Sequence, residues 1–190
     1  MKKLVCYGHS WVAGDGASFP GASLAAIVSR RWGLALDNRA VGGSSSTETV
    51  SLLQSAPPPV ASAYILMTGL NDLRLGGDSS SSFGLYSGAL DTILTALGTT
   101  APLARVFVVA QPHLLDFSRH APHNRGSNLL IDTYNEELRR VVARYGNARV
   151  VEAMGWQPSS MLATDTVHPN DSGHACIADA VVHAAPTAFR

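Results

Sequence analysis

Five short candidate strands, three of them apolar runs, each broken off by glycine or a polar turn and separated from the next by a longer stretch, constrain this chain more than any other feature. They occupy residues 3–7, 34–41, 63–68, 105–110 and 148–151. A continuous run such as 63–68 (AYILMT) has no polar face to turn toward water, so it reads as a strand covered on both sides. Between the runs, Leu24, Ile27, Val28 and Trp32 recur at the spacing of one helix face, as do Leu130, Tyr134, Leu138 and Val141. Helices are expected over 22–32, from a Thr47 cap to the prolines at 57–59, and over 83–97, 127–145 and 172–185. Residues 8–21 read as a loop or broken helix start, and 76–82 as a flexible surface loop. Short strands alternating with helices predict an α/β fold, a parallel sheet of about five strands with helices on both faces. One domain over 1–185 is expected, with 186–190 as a loose tail.

In such a sheet, polar residues just past the carboxyl ends of strands gather along one rim. Gly8-His9-Ser10, Gly42-Gly43 and Gly69-Leu70-Asn71-Asp72 all meet that condition, and Asp165 to Asn170, just before the last helix, can reach the same rim. A serine hydroxyl is a weak nucleophile until a histidine takes its proton, and that histidine needs an acid to fix its tautomer and stabilise its cation. Ser10, His168 and Asp165 supply these roles, the acid and base lying three positions apart so that one turn can carry both. Attack on an ester creates an oxyanion, for which the Ser10 and Gly43 N–H groups and the Asn71 amide are suitable donors. Asp72 is expected to brace its loop. Trp11, Leu75, Leu115, Phe117 and Val167 adjoin these blocks and could receive a short or medium acyl group, or could equally be loop packing. His113, His120 and His123 lack a compact metal-ligand pattern and are read as bordering the cleft, and His174 as a packing or hydrogen-bonding residue of the last helix. No dinucleotide fingerprint or phosphate-loop pattern is present in the sequence.

The four blocks, in this order, resemble those of the SGNH, or GDSL-type, hydrolases. Gly8-His9-Ser10, followed by Trp11 and Gly14, is similar to the nucleophile block. Asn38 to Gly43 is similar to the second, and Gly69-Leu70-Asn71-Asp72 matches GxND. Asp165, His168, Pro169, Asn170, Gly173 and His174 match the DxxHPN block with its downstream glycine and histidine. The resemblance spans nearly the whole chain. It implies a three-layer α/β/α sandwich of flavodoxin-like topology and an esterase without metal or organic cofactor. The implied partner is a small-molecule ester, thioester, lipid or acetylated sugar, with a short acyl or acetyl ester preferred because no large apolar lid is inserted. One position departs from the pattern: His9 replaces the family's usual aspartate before the nucleophile, which implies altered packing of that turn with the serine retained. Three other readings stay open: an acyltransferase using the same triad, a catalytically silent ligand-binding protein, and a structural subunit that offers the surface beside the Gly76 to Ser82 loop to a partner.

Composition narrows the field further. The 14 basic and 14 acidic residues cancel, which disfavours a polyanionic partner such as nucleic acid. Hydrophobic residues make up 46% of the chain, enough for a packed core, yet no run is long enough to cross a bilayer. Cys6 and Cys176 cannot form a disulfide framework and read as buried thiols. The first residues lack the apolar length of an export signal, so a cytoplasmic location is the default expectation, secretion with a signal already removed being the other.

Overall fold

The computed structural model describes residues 2–185; the expected tail at 186–190 lies outside the described residues. Five strands, β1 (Lys3–Gly8), β2 (Ala35–Asn38), β3 (Ala63–Met67), β4 (Arg105–Val109) and β5 (Ala148–Val151), form one parallel sheet in the order β2-β1-β3-β4-β5. The three inner strands are those whose runs are apolar throughout: Leu4 to Tyr7, Ala63 to Met67 and Val106 to Val109 are buried on both faces. The edge strands β2 and β5 alternate between more and less exposed positions, as strands with one covered face do.

The helices are α1 (Ser10–Ala13), α2 (Leu24–Trp32), α3 (Ser46–Ser55), α4 (Leu70–Gly76), α5 (Ser80–Thr100), α6 (Asn128–Val142), α7 (Pro158–Met161) and α8 (Asp171–Ala184). The longest, α5, buries Tyr86, Leu90, Ile93, Leu94 and Leu97 at helical spacing and packs on α3, α4 and α6, while α2 packs on α8. This is the expected three-layer α/β/α arrangement of flavodoxin-like type. Strand order reverses between β1 and β3, so the chain leaving β1 turns toward α2 and the chain leaving β3 toward α5. The diverging connections leave a crevice at the carboxyl edge of the sheet.

Several boundaries differ from the sequence reading, for local reasons. Helix α3 is capped by Ser45, not Thr47: Ser45 Oγ accepts the Glu48 N–H and Glu48 accepts the Ser45 N–H, a reciprocal capping box. The serines read as a surface loop instead begin α5, with Ser79 Oγ accepting the Ser82 N–H. The second strand is shorter than 34–41, although the chain beyond it stays tied to β1, Arg39 N–H donating to Cys6 O and Val41 N–H to Gly8 O. Helices α4 and α7 were not foreseen as elements. Cys6 is buried as expected, whereas Cys176 is only partly buried. No helix among the described residues is long and apolar enough to cross a membrane.

Candidate active site

Three glycines set the geometry of the rim. Gly8 lies at φ +136°, and a Cβ there would sit 1.9 Å from Met67 O, so only glycine lets β1 turn out beside β3. Its carbonyl accepts Val41 N–H and the Ser44 hydroxyl, and the next N–H, of His9, donates to Met67 O at 3.2 Å; the first three blocks are thereby fastened together. Gly69, at φ +107°, presses against the Tyr86 ring and opens α4. Of the Gly42-Gly43 pair it is Gly43 that adopts the left-handed conformation, at φ +77°.

Ser10 is the first residue of α1, 5% exposed, directly after the end of β1. His9 caps this helix: its Nδ1 accepts the Trp11 N–H at 3.3 Å. The N–H groups of Ser10 and Gly43 donate to no protein acceptor among the described residues. Asn71 Nδ2 donates one hydrogen to Ser44 O at 2.9 Å, leaving its second without a protein acceptor. Asp72 braces the arrangement as expected: its carboxylate accepts both the N–H and the hydroxyl of Ser46, tying α4 to the start of α3. Burial pushes the Asp72 pKa up despite these bonds.

The fourth block forms a tight turn. Asp165 Oδ2 meets His168 Nδ1 at 2.6 Å, while Oδ1 accepts the N–H groups of Val167 and His168 at 3.0 and 2.9 Å. Burial acts to raise the Asp165 pKa, but the bonds from the His168 ring and the two N–H groups outweigh it and hold the carboxyl below its ordinary range. With Nδ1 engaged by Asp165, His168 Nε2 is left without a hydrogen-bond partner among the described residues. Thr166 sits at φ +67°, strained for a β-branched residue, and the Ala163 N–H donates to His168 O to close the loop. The remaining letters of the block are structural. Asn170 caps α8 and also holds the Ser160 and Leu162 carbonyls; Gly173 lies where a Cβ would meet Met161 O at 2.2 Å.

His174 links this block to the first. Fully buried, it accepts the Leu24 N–H at Nδ1, and its Nε2–H donates to Asp15 O at 3.1 Å. Burial lowers its pKa, consistent with that neutral tautomer. Asp171 adds two bonds from Ser18, and Gly16 packs against His168 and Pro169. The loop after Ser10 is thus tied at three points to the segment carrying His168. Burial also drives the His9 pKa down to about 3, with the His168 charge acting in the same direction, so His9 is neutral. The Gln111 side chain approaches it without completing a bond: His9 Nε2 and Gln111 Oε1 both lack a partner of hydrogen-bond geometry among the described residues.

Of the apolar residues expected to receive an acyl group, Trp11 and Val167 require correction. Trp11 is fully buried, stacked on Trp156 with ring centres 5.3 Å apart, and Val167 is 2% exposed; both pack beneath the rim and offer no surface to a ligand. Leu75 and Leu115 keep exposed surface, and Phe117 is half-buried against Leu73 and Gly126. The three loop histidines separate. His113 pairs with Asp132, His120 stands edge-on to His168 at 6.0 Å, and His123 lies by the Gly43 backbone. No group of three or more His, Cys, Asp or Glu among the described residues is arranged to hold a metal ion. The sequence reading missed Ser44 and Ser46, the partners of Asn71 and Asp72, and Arg74, a buried arginine one helical turn beyond Asn71. The i, i+3 spacing from Asn71 was the available signal for Arg74.

A parallel sheet in this order, with the four blocks along its carboxyl edge, is the arrangement of the SGNH type. The chain belongs to the GDSL-like lipase/acylhydrolase family, whose description matches residues 6–176. Comparison with curated proteins finds no match. Among solved structures, the chain is similar to a member of the lipolytic G-D-S-L family from Veillonella parvula, at 18% identity and TM-score 0.69, covering 97% of this chain and 98% of that one. It is also similar to a family two carbohydrate esterase with a carbohydrate-binding domain from Corynascus thermopiles, at 18% identity and TM-score 0.75 over 97% and 65% of the two chains. A third likeness is to the salicylyl-acyltransferase SsfX3 of a tetracycline biosynthetic pathway, at 15% identity and TM-score 0.76 over 100% and 57%. At these identities the structures speak for the fold. Family and fold together support an esterase or acyltransferase activity of GDSL/SGNH type.

Proposed function

We propose that the protein hydrolyses a carboxylic ester of a small molecule, a short acyl or acetyl ester in preference, through an acyl-enzyme on Ser10. His168 Nε2 takes the Ser10 proton as Oγ attacks the carbonyl and then delivers it to the departing alkoxide. Asp165 orients the imidazole and stabilises its cation. Water attacks the acyl-enzyme by the same route in reverse, His168 again serving as base and then returning a proton to Ser10. The N–H groups of Ser10 and Gly43 and the second amide hydrogen of Asn71 would hold the oxyanion, each well-aimed donor contributing about 3 kcal/mol to the transition state. His9 serves the nucleophile turn as a cap, not as a second base, because its Nδ1 is occupied by Trp11 N–H.

The observation that carries this reading is the Asp165–His168 pair, a 2.6 Å bond whose carboxylate is fixed by two backbone donors of its own turn. Hydrolysis of p-nitrophenyl esters from acetate to palmitate, by the native chain and Ser10→Ala, tests it. We expect turnover of the short esters, falling with chain length, and a loss of about 10³-fold or more in the variant. Equal turnover by both folded proteins would refute Ser10 as the nucleophile.

A further inference from the structure

Among the described residues Arg74 is the one buried arginine, at 3% exposure, and it has no carboxylate partner within ion-pair distance there. Its Nη2 donates to Arg119 O at 2.8 Å, and among the described residues its Nε, sealed from solvent, has no partner and no hydrogen bond engages Nη1. The two carboxylates whose charges reach it are already committed. Asp165 is held by His168 and two N–H groups, and Asp116 by Ser118 and Arg119. A buried guanidinium is ordinarily paired, because leaving it uncompensated costs several kcal/mol. Here that cost is borne beside the candidate active site.

The position of Arg74 suggests what the charge is for. Asn71 and Arg74 are three residues apart on α4 and share one face, about 5–6 Å apart at Cβ. Its charge is felt by Asp165, the acid of the pair, and by His123, which borders Gly43. The guanidinium therefore lies near the segments that carry the acid of the pair and the amide proposed for the oxyanion hole. Over it runs the loop after β4, whose Arg119 lends only its carbonyl to Arg74 and is otherwise turned to Asp116 and Thr164.

We propose that Arg74 forms an anion subsite of the cleft, so that the preferred ester carries a carboxylate about one helical turn from the scissile carbonyl. The subsite rests on the ester-hydrolase reading above and adds the charge of the substrate to it. The carboxylate could belong to the acyl half or to the alcohol half of the ester, both of which meet at the carbonyl.

Two matched pairs of substrates test the proposal with the full chain. Mono-p-nitrophenyl succinate against p-nitrophenyl butyrate places the charge on the acyl half; 4-acetoxybenzoate against 4-acetoxybenzamide places it on the leaving half. We expect one pair to favour its anion in kcat/KM by about tenfold or more, as a charge-assisted hydrogen bond would. Arg74→Met should abolish that preference while still turning over the neutral esters, and Arg74→Lys should restore part of it. Parallel loss on anionic and neutral esters in Arg74→Met would mean that Arg74 only supports the loop, and absence of any anion preference in the native chain would overturn the subsite directly. If no ester of either kind shows Ser10-dependent turnover, it is the hydrolase reading that fails, and the subsite falls with it.

Discussion

His9 stands where the family's usual aspartate would, and its imidazole caps the nucleophile helix through a bond from Trp11 N–H. Keeping that nitrogen as an acceptor requires the ring to be neutral, and burial enforces this by lowering its pKa from 6.5 to about 3. The consequence for stability has a definite sign. Between those two values the unfolded chain binds a proton that the folded chain refuses, so stability rises with pH across the window and falls on acidification. One such histidine contributes up to about 1.4 kcal/mol per pH unit, and the buried His174, also lowered, adds to the same slope. We expect the stability of the native chain measured by urea unfolding to fall from pH 7 to pH 5, and His9→Asn, which keeps a capping acceptor, to flatten that slope. An unchanged slope would show that His9 is protonated in the folded state. Asp165 acts in a different window. Its folded pKa lies below the ordinary 3.8, so its stabilisation is complete above that value and is lost only as pH falls through the folded pKa. It is therefore ionised throughout the neutral range. Asp165→Asn, measured by kcat/KM on a short p-nitrophenyl ester, should lose about 10³–10⁴-fold through misorientation of His168.

Among the elements, the connections after β1, β2, β3 and β5 carry the site, and those after β1 and β2 depend on residues whose roles are steric and capping. A Cβ at position 8 would overlap the Met67 carbonyl at 1.9 Å, and every atom it would meet is Met67 backbone, with no flexible tip to move away. Gly8→Ala is expected to destabilise the fold by at least about 3 kcal/mol or to prevent folding, read as the unfolding midpoint or the soluble yield. Ser45→Ala removes half of the capping box of α3 and should cost about 1 kcal/mol with little change in kcat/KM, since Asp72 still holds the first turn through Ser46. The same elements explain what could be read in advance. The strands β1, β3 and β4 were legible because double-sided burial writes an unbroken apolar run. Helices α4 and α7 were not: α7 is four residues long with no buried face, and α4 lies directly behind Gly69, where its seven residues read as a continuation of the GxND loop. The serines at 79–82 were mistaken for loop because a serine that caps a helix and one that lies in a turn look alike in sequence.

At the level of the whole molecule, strand order decides which loops meet, and no single run of residues encodes it. Local patterns gave five strands and their sequence, while the β2-β1-β3 juxtaposition that opens the crevice arises only when the crossovers pack on opposite faces. The polar residues of the site were legible because each sits at a fixed offset from a strand end or from α8. The apolar ones were not, because Trp11 and Val167 adjoin the blocks in sequence but point inward, and burial is a property of the assembled layers. Arg74 escaped notice for the complementary reason, since an arginine on a short helix is expected at the surface and only the loop laid over it makes it a buried charge. If these loops assemble around one activated hydroxyl, labelling with a fluorophosphonate followed by mass spectrometry of the peptides will find it. We expect a single adduct on Ser10, slowed strongly in His168→Ala and absent in Ser10→Ala; a folded native chain that takes no label, or takes it equally well without His168, would show that no such hydroxyl is assembled.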